Sequence, residues 1–310
     1  MIEEEAPIIE VQDLDVAFKT PSRHLVHAVD GLSLSVRQGE VVGFIGPNGA
    51  GKTTTIKVLM GFLKPDGGDV RLFGEAAGSV SARRRIGYLP EVALYYPFLS
   101  AREALRLYAK LAGIPRPARE QAISALLERV GLTGRDTERL GGFSKGMLQR
   151  LGIAQAIMGE PDLLILDEIT SGLDPVARHD VRRVLMEFKA KGKTVFFSSH
   201  ELTEVALLCD RIILLDEGRV IEEKGVESIL ASAQCVVVRA RRIEGAFDPG
   251  DGVVTRMAAD GMYVFSAQDW QTAKALEARI EAAGGEVFET AEEPVSLEDY
   301  FVRRLGHKVT

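Results

Sequence analysis

The feature that most constrains this chain is a glycine-rich loop placed directly after a run of apolar residues. The run is Val41 to Ile45, and the loop at 46–53 reads Gly-Pro-Asn-Gly-Ala-Gly-Lys-Thr. A continuous short apolar run is typical of a parallel strand that is buried on both faces. Residues 52–62 have helical character, so the loop joins a strand to a helix. The chain is therefore expected to contain α/β units built on a parallel sheet.

The loop fits the pattern G-x-x-x-x-G-K-[ST] at every fixed position. Its glycines let backbone N–H groups turn inward toward phosphate oxygens, and the helix N-terminus adds partial positive charge. We predict that the Lys52 ammonium reaches the β and γ phosphates of a bound nucleotide and that the Thr53 hydroxyl ligates Mg²⁺. The predicted nucleotide loop comprises Gly46, Pro47, Asn48, Gly49, Ala50, Gly51, Lys52, Thr53 and Thr54.

A second apolar strand ends in two carboxylates. Leu163 to Leu166 is followed at once by Asp167 and Glu168. A buried strand fixes the position from which these side chains project. We expect Asp167 to hold Mg²⁺ and Glu168 to polarise the water that attacks the γ phosphate. Together with the glycine-rich loop, this pair predicts nucleotide hydrolysis.

Bulk properties set limits on location and partners. The formal net charge of −7 argues against a nucleic-acid partner, which usually requires a basic face. The apolar runs are too short to span a bilayer, and the first residues lack the features of a signal peptide. Cys209 and Cys235 are isolated and have no metal-ligand spacing, which fits a reducing compartment. We expect a cytoplasmic location.

The 310 residues are long enough for one large domain and a small one. We predict a first domain at 1–232, with a mainly helical subdomain at about 92–160, and a small α+β domain at 235–310 after a change in composition at 231–234. Helical spacing of apolar residues supports three of the predicted helices. These residues are Leu105, Tyr108 and Leu111; Ile123, Leu126, Leu127 and Val130; and, in the small domain, Trp270, Ala273, Leu276 and Ile280.

Six motifs in order resemble those of ABC transporter ATPases. Two of them are the glycine-rich loop and the strand ending in Asp167 and Glu168. The others are Gly-Tyr-Leu-Pro-Glu at 87–91, similar to the Q-loop; Phe-Ser-Lys-Gly-Met at 143–147, similar to the signature; Ser-Gly-Leu-Asp at 171–174, similar to the D-loop; and Ser-Ser-His at 198–200, similar to the switch histidine. The resemblance covers residues 8–225.

The resemblance implies a RecA-like P-loop NTPase core with an antiparallel β part and a helical subdomain. It also implies two chains closing head to tail around two ATP molecules, beside transmembrane permease subunits on the cytoplasmic face of the membrane. Phe18 then stacks on adenine, Glu91 meets Mg²⁺, and His200 contacts the γ phosphate. Ser144, Lys145 and Gly146 reach the ATP of the partner chain, and Asp174 lies at the dimer seam.

Each lesser motif residue also has a plainer interpretation. Phe18 could be strand core, and His200 could be a capping or core histidine. Ser144 and Gly146 could simply begin a helix, as Asp174 could before Pro175. Lys145 could face solvent.

Several residues depart from the usual ABC pattern. Lys145 replaces a signature glycine and Met147 a glutamine, Glu91 replaces the Q-loop glutamine, and Ile169 replaces a proline. These residues, and the ending Pro-Val-Ser-Leu-Glu-Asp-Tyr-Phe at 294–301, resemble an exporter branch called ABC-2. Two rival functions are a non-transport ABC ATPase, which would carry long coiled coils or two ATPase units, and a module that binds ATP without turnover.

Overall fold

The computed structural model describes residues 6–20, 24–170, 173–232, 234–243, 247–250, 253–258 and 261–305. The chain divides into two compact units, Met1–Glu223 and Lys224–Thr310. No helix among the described residues is long and apolar enough to cross a bilayer.

The first unit alternates strands and helices. Its elements are, in order, β1 (Ile9–Lys19), β2 (Leu25–Val36), β3 (Val41–Ile45), α1 (Lys52–Leu59), β4 (Gly67–Leu72), β5 (Glu75–Ala76), α2 (Val80–Arg83), β6 (Ile86–Leu89), α3 (Ala101–Leu111), α4 (Arg116–Arg129), a 3₁₀ turn (Leu140–Gly142), α5 (Lys145–Ala156), β7 (Leu163–Leu166), α6 (Pro175–Ala190), β8 (Thr194–Ser199), α7 (Leu202–Leu208), β9 (Arg211–Asp216) and β10 (Arg219–Gly225).

A six-stranded sheet with the order β10-β9-β3-β8-β7-β6 positions the site. Its strand β3 pairs in parallel with β8 and β9, and β7 pairs in parallel with β6 and β8. Every residue of β3, β7 and β8 is buried, as the apolar runs predict. Because the carboxyl ends of parallel strands share one edge, the segments after β3, β7 and β8 meet there.

A second, antiparallel sheet with the order β2-β1-β4-β5 supplies the other half of the core. Side chains of β1 and β2, such as Leu14 and Leu32, join one cluster with α1 and the parallel sheet. Phe44 of β3 and Phe196 of β8 lie within this core, with ring centroids 5.0 Å apart. The structure thus has the predicted RecA-like architecture with an antiparallel part.

Helices α3, α4 and α5 occupy the segment predicted to be helical. In α4, Ile123 and Leu127 are buried, as predicted from their spacing. Helix α3 confirms the predicted helix, but its apolar residues differ in burial, since Leu105 is fully buried whereas Leu111 is 72% exposed. The buried face of α3 follows Ala101, Leu105 and Ala109 instead, and this face turns Leu111 toward solvent.

The second unit is a four-stranded antiparallel sheet with helices. Its elements are α8 (Val226–Ser232), β11 (Gln234–Arg241), β12 (Val254–Met257), β13 (Tyr263–Ala267), α9 (Trp270–Ala282), β14 (Glu286–Pro294) and α10 (Leu297–Leu305). The sheet order is β12-β13-β11-β14. Ala273, Leu276 and Ile280 of α9 are buried in its core as expected, but Trp270 is half exposed and donates its indole N–H to Glu292 at 2.7 Å.

The division between the units precedes the predicted boundary. The predicted ranges, 1–232 and 235–310, place the residues of α8 in the first domain. In the structure α8 belongs to the second unit, where it contacts α10. Its Val226 and Ile229 are buried, so the helix adds apolar surface to the packing of its unit.

Candidate functional site

The glycine-rich loop takes a shape that only glycine allows at two positions. A Cβ atom at Gly46 would lie 2.3 Å from the carbonyl oxygen of Leu215. Gly51 has φ +105°, and a Cβ atom there would lie 2.4 Å from the carbonyl oxygen of Ala28. The sequence therefore dictates this loop locally, because any larger residue would clash with the backbone of a neighbouring strand or turn.

The loop ends at an open helix N-terminus. Gly51 is the N-cap of α1, no side chain caps the helix, and its first turn has no acidic residue. The first N–H groups are thus available to an anion. Lys52 is almost fully buried and donates its Nζ protons to the carbonyl oxygens of Gly46 at 2.7 Å and Pro47 at 3.2 Å. A cation and a set of N–H donors therefore share one small region.

Asp167, at the end of β7, lies beside the start of α1. Its Oδ1 accepts a hydrogen bond from the Thr53 hydroxyl at 3.3 Å and another from the Ser198 hydroxyl at 2.6 Å. Asp167 is 2% exposed. A hydroxyl and a carboxylate oxygen that already meet are oxygen ligands of the kind Mg²⁺ prefers, so these side chains fit that ion.

Glu168 lies between two cationic or ionisable groups. Its Oε1 is 3.4 Å from Lys52 Nζ and its Oε2 is 2.5 Å from His200 Nδ1. The backbone of Glu168 has φ +50°, an uncommon conformation for a non-glycine residue. Its N–H donates to the Ser198 hydroxyl at 2.9 Å, which fixes that turn. The carboxylate is thus held in place by residues from α1 and from the end of β8.

Sequence reasoning missed the part played by Ser198. One buried hydroxyl accepts a hydrogen bond from the Glu168 backbone and donates one to the Asp167 carboxylate. A second missed contact comes from α5, where the buried amide of Gln149 donates to the Ile169 carbonyl oxygen at 3.1 Å. Both contacts join segments far apart in sequence. For Ser198 the sequence signal is a polar residue at the end of an apolar strand, whereas Gln149, next to Arg150, gives no such signal.

These groups line one cleft of about 490 Å³. Phe18, which is 46% exposed, stands at its rim, so its ring is not part of the strand core. Glu91 is exposed and also faces the cleft. The remaining lining consists of residues 48–54 together with Ala28, Glu168 and His200.

Tyr88, near the Asp167 carboxylate, remains neutral. Burial, together with the negative charge of Asp167, raises the pKa of the Tyr88 phenol to about 12. Its ring packs edge-on against Phe62, with centroids 5.5 Å apart. The tyrosine therefore adds no charge near the carboxylates at neutral pH.

The predicted signature residues do not line this cleft. Ser144 is the N-cap of α5, accepting from the Met147 N–H at 3.2 Å, and Asp174 is the N-cap of α6, accepting from the Ala177 N–H at 2.8 Å. A Cβ atom at Gly146 would lie 3.8 Å from the side chain of Ala177, so the two helix starts are neighbours. Lys145 is exposed. Ser171 and Gly172 of the D-loop motif lie outside the described residues.

A phosphate loop, an acidic pair and a histidine at the carboxyl edge of a parallel sheet define a P-loop nucleotide hydrolase. The model of the family described as ABC transporter matches residues 29–171. An uncharacterised ABC transporter ATP-binding protein of Nostoc sp. is 35% identical, over 98% of this chain and 91% of the relative. The bacitracin transport ATP-binding protein BcrA of Bacillus licheniformis is 39% identical, over 90% of this chain and 92% of the relative.

Solved structures agree with this assignment. A structure described as the ATP-binding subunit of an ABC transporter has a TM-score of 0.65 and 33% identity, covering 73% of this chain and 92% of the other. A dimeric ATP-binding cassette bound to ADP and Pi also has a TM-score of 0.65, covering 70% of this chain and 98% of the other; at 22% identity that likeness shows the fold alone. This chain belongs to the ABC transporter ATP-binding family. It is an ATP-binding and ATP-hydrolysing subunit of such a transporter.

Proposed function

We propose that the chain powers an exporter by closing head to tail with a second copy around ATP. The observation that carries the proposal is the convergence of Lys52, Glu168 and His200 in one cleft that the signature residues do not reach. A second chain is then needed to bring a signature helix to the nucleotide. Relatives named for bacitracin transport and for Nod factor export, the latter from Burkholderia orbicola and 35% identical, support the exporter class.

Within the proposed site, phosphate binding changes the partners of Lys52. The lysine now contacts two loop carbonyl oxygens and lies 3.4 Å from Glu168. When the β and γ phosphates enter the loop, the ammonium turns to them, because a phosphate carries more charge than a carbonyl dipole. Glu168 then loses one counter-charge and is free to accept a proton from the attacking water, while His200 orients the carboxylate.

We infer that Thr53 and Asp167 hold Mg²⁺, with Glu91 at the mouth of the cleft. The ion, when bound, neutralises the charge that develops on the phosphates. Glu91 is an anion where the family usually has a neutral amide, so it adds a carboxylate oxygen to the possible ligands. The Asp167 carboxylate is buried and accepts two hydroxyl hydrogen bonds, whereas Glu91 is exposed.

Permease subunits at the cytoplasmic face of the membrane are the proposed partners. The segment that follows Glu91 presents large apolar side chains to solvent, with Leu94 87% exposed. Its other exposed apolar residues are Val92, Tyr96 and Phe98. An apolar surface of this kind is typical of a protein interface. Its position directly after Glu91 offers a route by which a permease contact could move a residue of the cleft.

The test is Glu168→Gln. We expect this variant to bind ATP, to lose hydrolysis and to accumulate as an ATP-dependent dimer in size-exclusion chromatography. Glu138→Gln is the matched control and should behave as wild type, because among the described residues the Glu138 side chain pairs only with Arg135, at the surface. Hydrolysis by Glu168→Gln within a few fold of wild type would exclude Glu168 as the base. An ATP-bound variant that stays monomeric would instead contradict the head-to-tail pairing.

We infer that the second unit tunes dimerisation or coupling and does not catalyse. Its sequence has no phosphate loop, and within its described residues there is no group of three metal-ligating side chains. A chain ending after Gly225 should bind ATP as wild type does but shift the dimer equilibrium of the Glu168→Gln variant. Loss of nucleotide binding in a truncated protein with native circular dichroism would contradict this assignment.

A further inference from the structure

One outward face of α3 alternates cations and leucines. The residues that face solvent in the second half of the helix are Arg106, Leu107, Lys110 and Leu111, and Leu111 is 72% exposed. Because residues four apart lie on the same side of a helix, the two cations form one row and the two leucines another. We call this face, together with Arg116 and Arg119 at the start of α4, the basic–leucine patch.

The patch carries an excess of positive charge. A cleft of about 680 Å³ is lined by four cationic side chains, one leucine and the carboxylate of Glu120, which gives a net charge of +3. The chain as a whole has a formal net charge of −7. The patch is therefore positively charged although the chain as a whole is negatively charged.

Internal partners use only part of this charge. Arg106 pairs with Glu120 at 2.5 Å, and Arg119 donates to the carbonyl oxygen of Ile114 at 2.7 Å. The side chains of Lys110 and Arg116 make no hydrogen bond or ion pair with any residue that the structure describes. Two cations of the patch are thus free to bind an external anion.

Lys110, in the last turn of α3, matches the negative end of its helix dipole, but two other features of the patch do not favour local stability. Arg116 lies in the first turn of α4, which has no acidic residue, so its charge opposes the positive end of the helix dipole. The two leucines expose apolar surface that the core does not use. Features that disagree with local folding rules are expected where a surface has another role.

We propose that the basic–leucine patch docks on the surface of an anionic phospholipid bilayer. A helix face with cations beside exposed leucines is suited to the boundary between headgroups and acyl chains, where leucines insert and cations meet phosphates. An acidic protein segment would use the cations but would leave the row of leucines without an apolar partner. As a subunit of a membrane transporter, the chain works where such a bilayer is at hand.

The experiment is flotation of the full chain with lipid vesicles. One set of vesicles is phosphatidylcholine alone, and the other contains about a third phosphatidylglycerol, which gives an anionic surface. We expect the wild type to bind the anionic vesicles only, and less as salt is raised. Each near-surface cation contributes about fivefold in affinity, so Lys110→Gln combined with Arg116→Gln should weaken binding about 25-fold.

Two matched controls separate the patch from general charge and hydrophobicity. Arg37→Gln combined with Lys57→Gln removes the same charge from exposed positions on other elements and should bind as wild type. Leu107→Ser combined with Leu111→Ser should weaken binding, whereas Leu207→Ser, at a leucine 53% exposed on α7, should not. Retained ATP binding by every variant verifies the fold.

The proposal is overturned if the anionic vesicles do not bind the wild type, or if the patch variants and the controls bind equally. It is also overturned if the leucine variant binds as wild type, because the cations alone would then account for the affinity. Binding to detergent-solubilised permease that needs Lys110 and Arg116, with no vesicle binding, would assign the patch to an acidic protein partner instead.

Discussion

Substituting Ser198 tests whether its hydroxyl positions the acidic pair. The side chain is fully buried at the end of β8. Its oxygen accepts the N–H of Glu168 at 2.9 Å and donates to Oδ1 of Asp167 at 2.6 Å. Ser198→Ala removes one oxygen atom and leaves both groups without that partner, while the rest of strand β8 is unchanged.

The structure sets the size of the stability effect. A hydrogen bond to a charged group contributes about 1.5–3 kcal/mol, and a buried N–H without a partner costs about 1–3 kcal/mol. Thr53 still donates to Asp167 at 3.3 Å, so the carboxylate keeps one hydrogen bond. We therefore expect a loss of about 3 kcal/mol in the free energy of unfolding. For a unit of this size that lowers the midpoint of thermal unfolding by about 6–12 °C.

The catalytic effect follows from the backbone of Glu168. With φ +50°, the turn depends on its N–H hydrogen bond to stay in place. A carboxylate displaced by a fraction of an ångström loses its alignment with the attacking water. We expect kcat for ATP hydrolysis to fall by about 10- to 100-fold. The glycine-rich loop is untouched, so KM for ATP should change by less than about threefold.

Ser199→Ala is the matched control. Ser199 is also fully buried, but its hydroxyl accepts from the backbone N–H of Glu201 and contacts neither carboxylate. This variant should lose about 1 kcal/mol of stability and keep its kcat. The measurements are kcat for ATP hydrolysis and the midpoint of thermal unfolding, for both variants. The reasoning is refuted if Ser198→Ala retains wild-type kcat, or if Ser199→Ala loses as much activity.

Three further predictions follow from the site and the helical part. Phe18→Ala should weaken ATP binding by about 1–2 kcal/mol in calorimetry and Phe18→Tyr should be neutral, whereas equal affinities would exclude stacking. Lys145→Gly, in the Glu168→Gln background, should weaken ATP-driven dimerisation and its salt dependence; unchanged constants would make Lys145 an ordinary surface residue. Arg102→Ala should lower the free energy of unfolding, measured with urea near pH 7, by about 1–2 kcal/mol. The Arg102 guanidinium lowers the pKa of Asp136, so this cost should shrink as acid protonates Asp136, and a pH-independent cost would refute the coupling.

The elements that local rules govern could be predicted from the sequence. The buried runs in β3 and β7, the loop between β3 and α1, and the pair Asp167 and Glu168 all depend on adjacent residues. So do the caps at Ser144 and Asp174, where a short polar side chain precedes a helix. These features needed no knowledge of distant contacts, because steric limits on glycine and the burial of apolar runs act within a few residues.

Tertiary structure alone decided which distant groups meet and which apolar residues face solvent. Ser198 joins the acidic pair because β7 and β8 are neighbours in the sheet, and Gln149 reaches Ile169 because α5 packs beside that turn. Leu111 has helical spacing but is exposed, since only packing selects which face of a helix is buried. Periodicity shows which side chains of a helix share a face. Whether another element packs against that face depends on the tertiary structure.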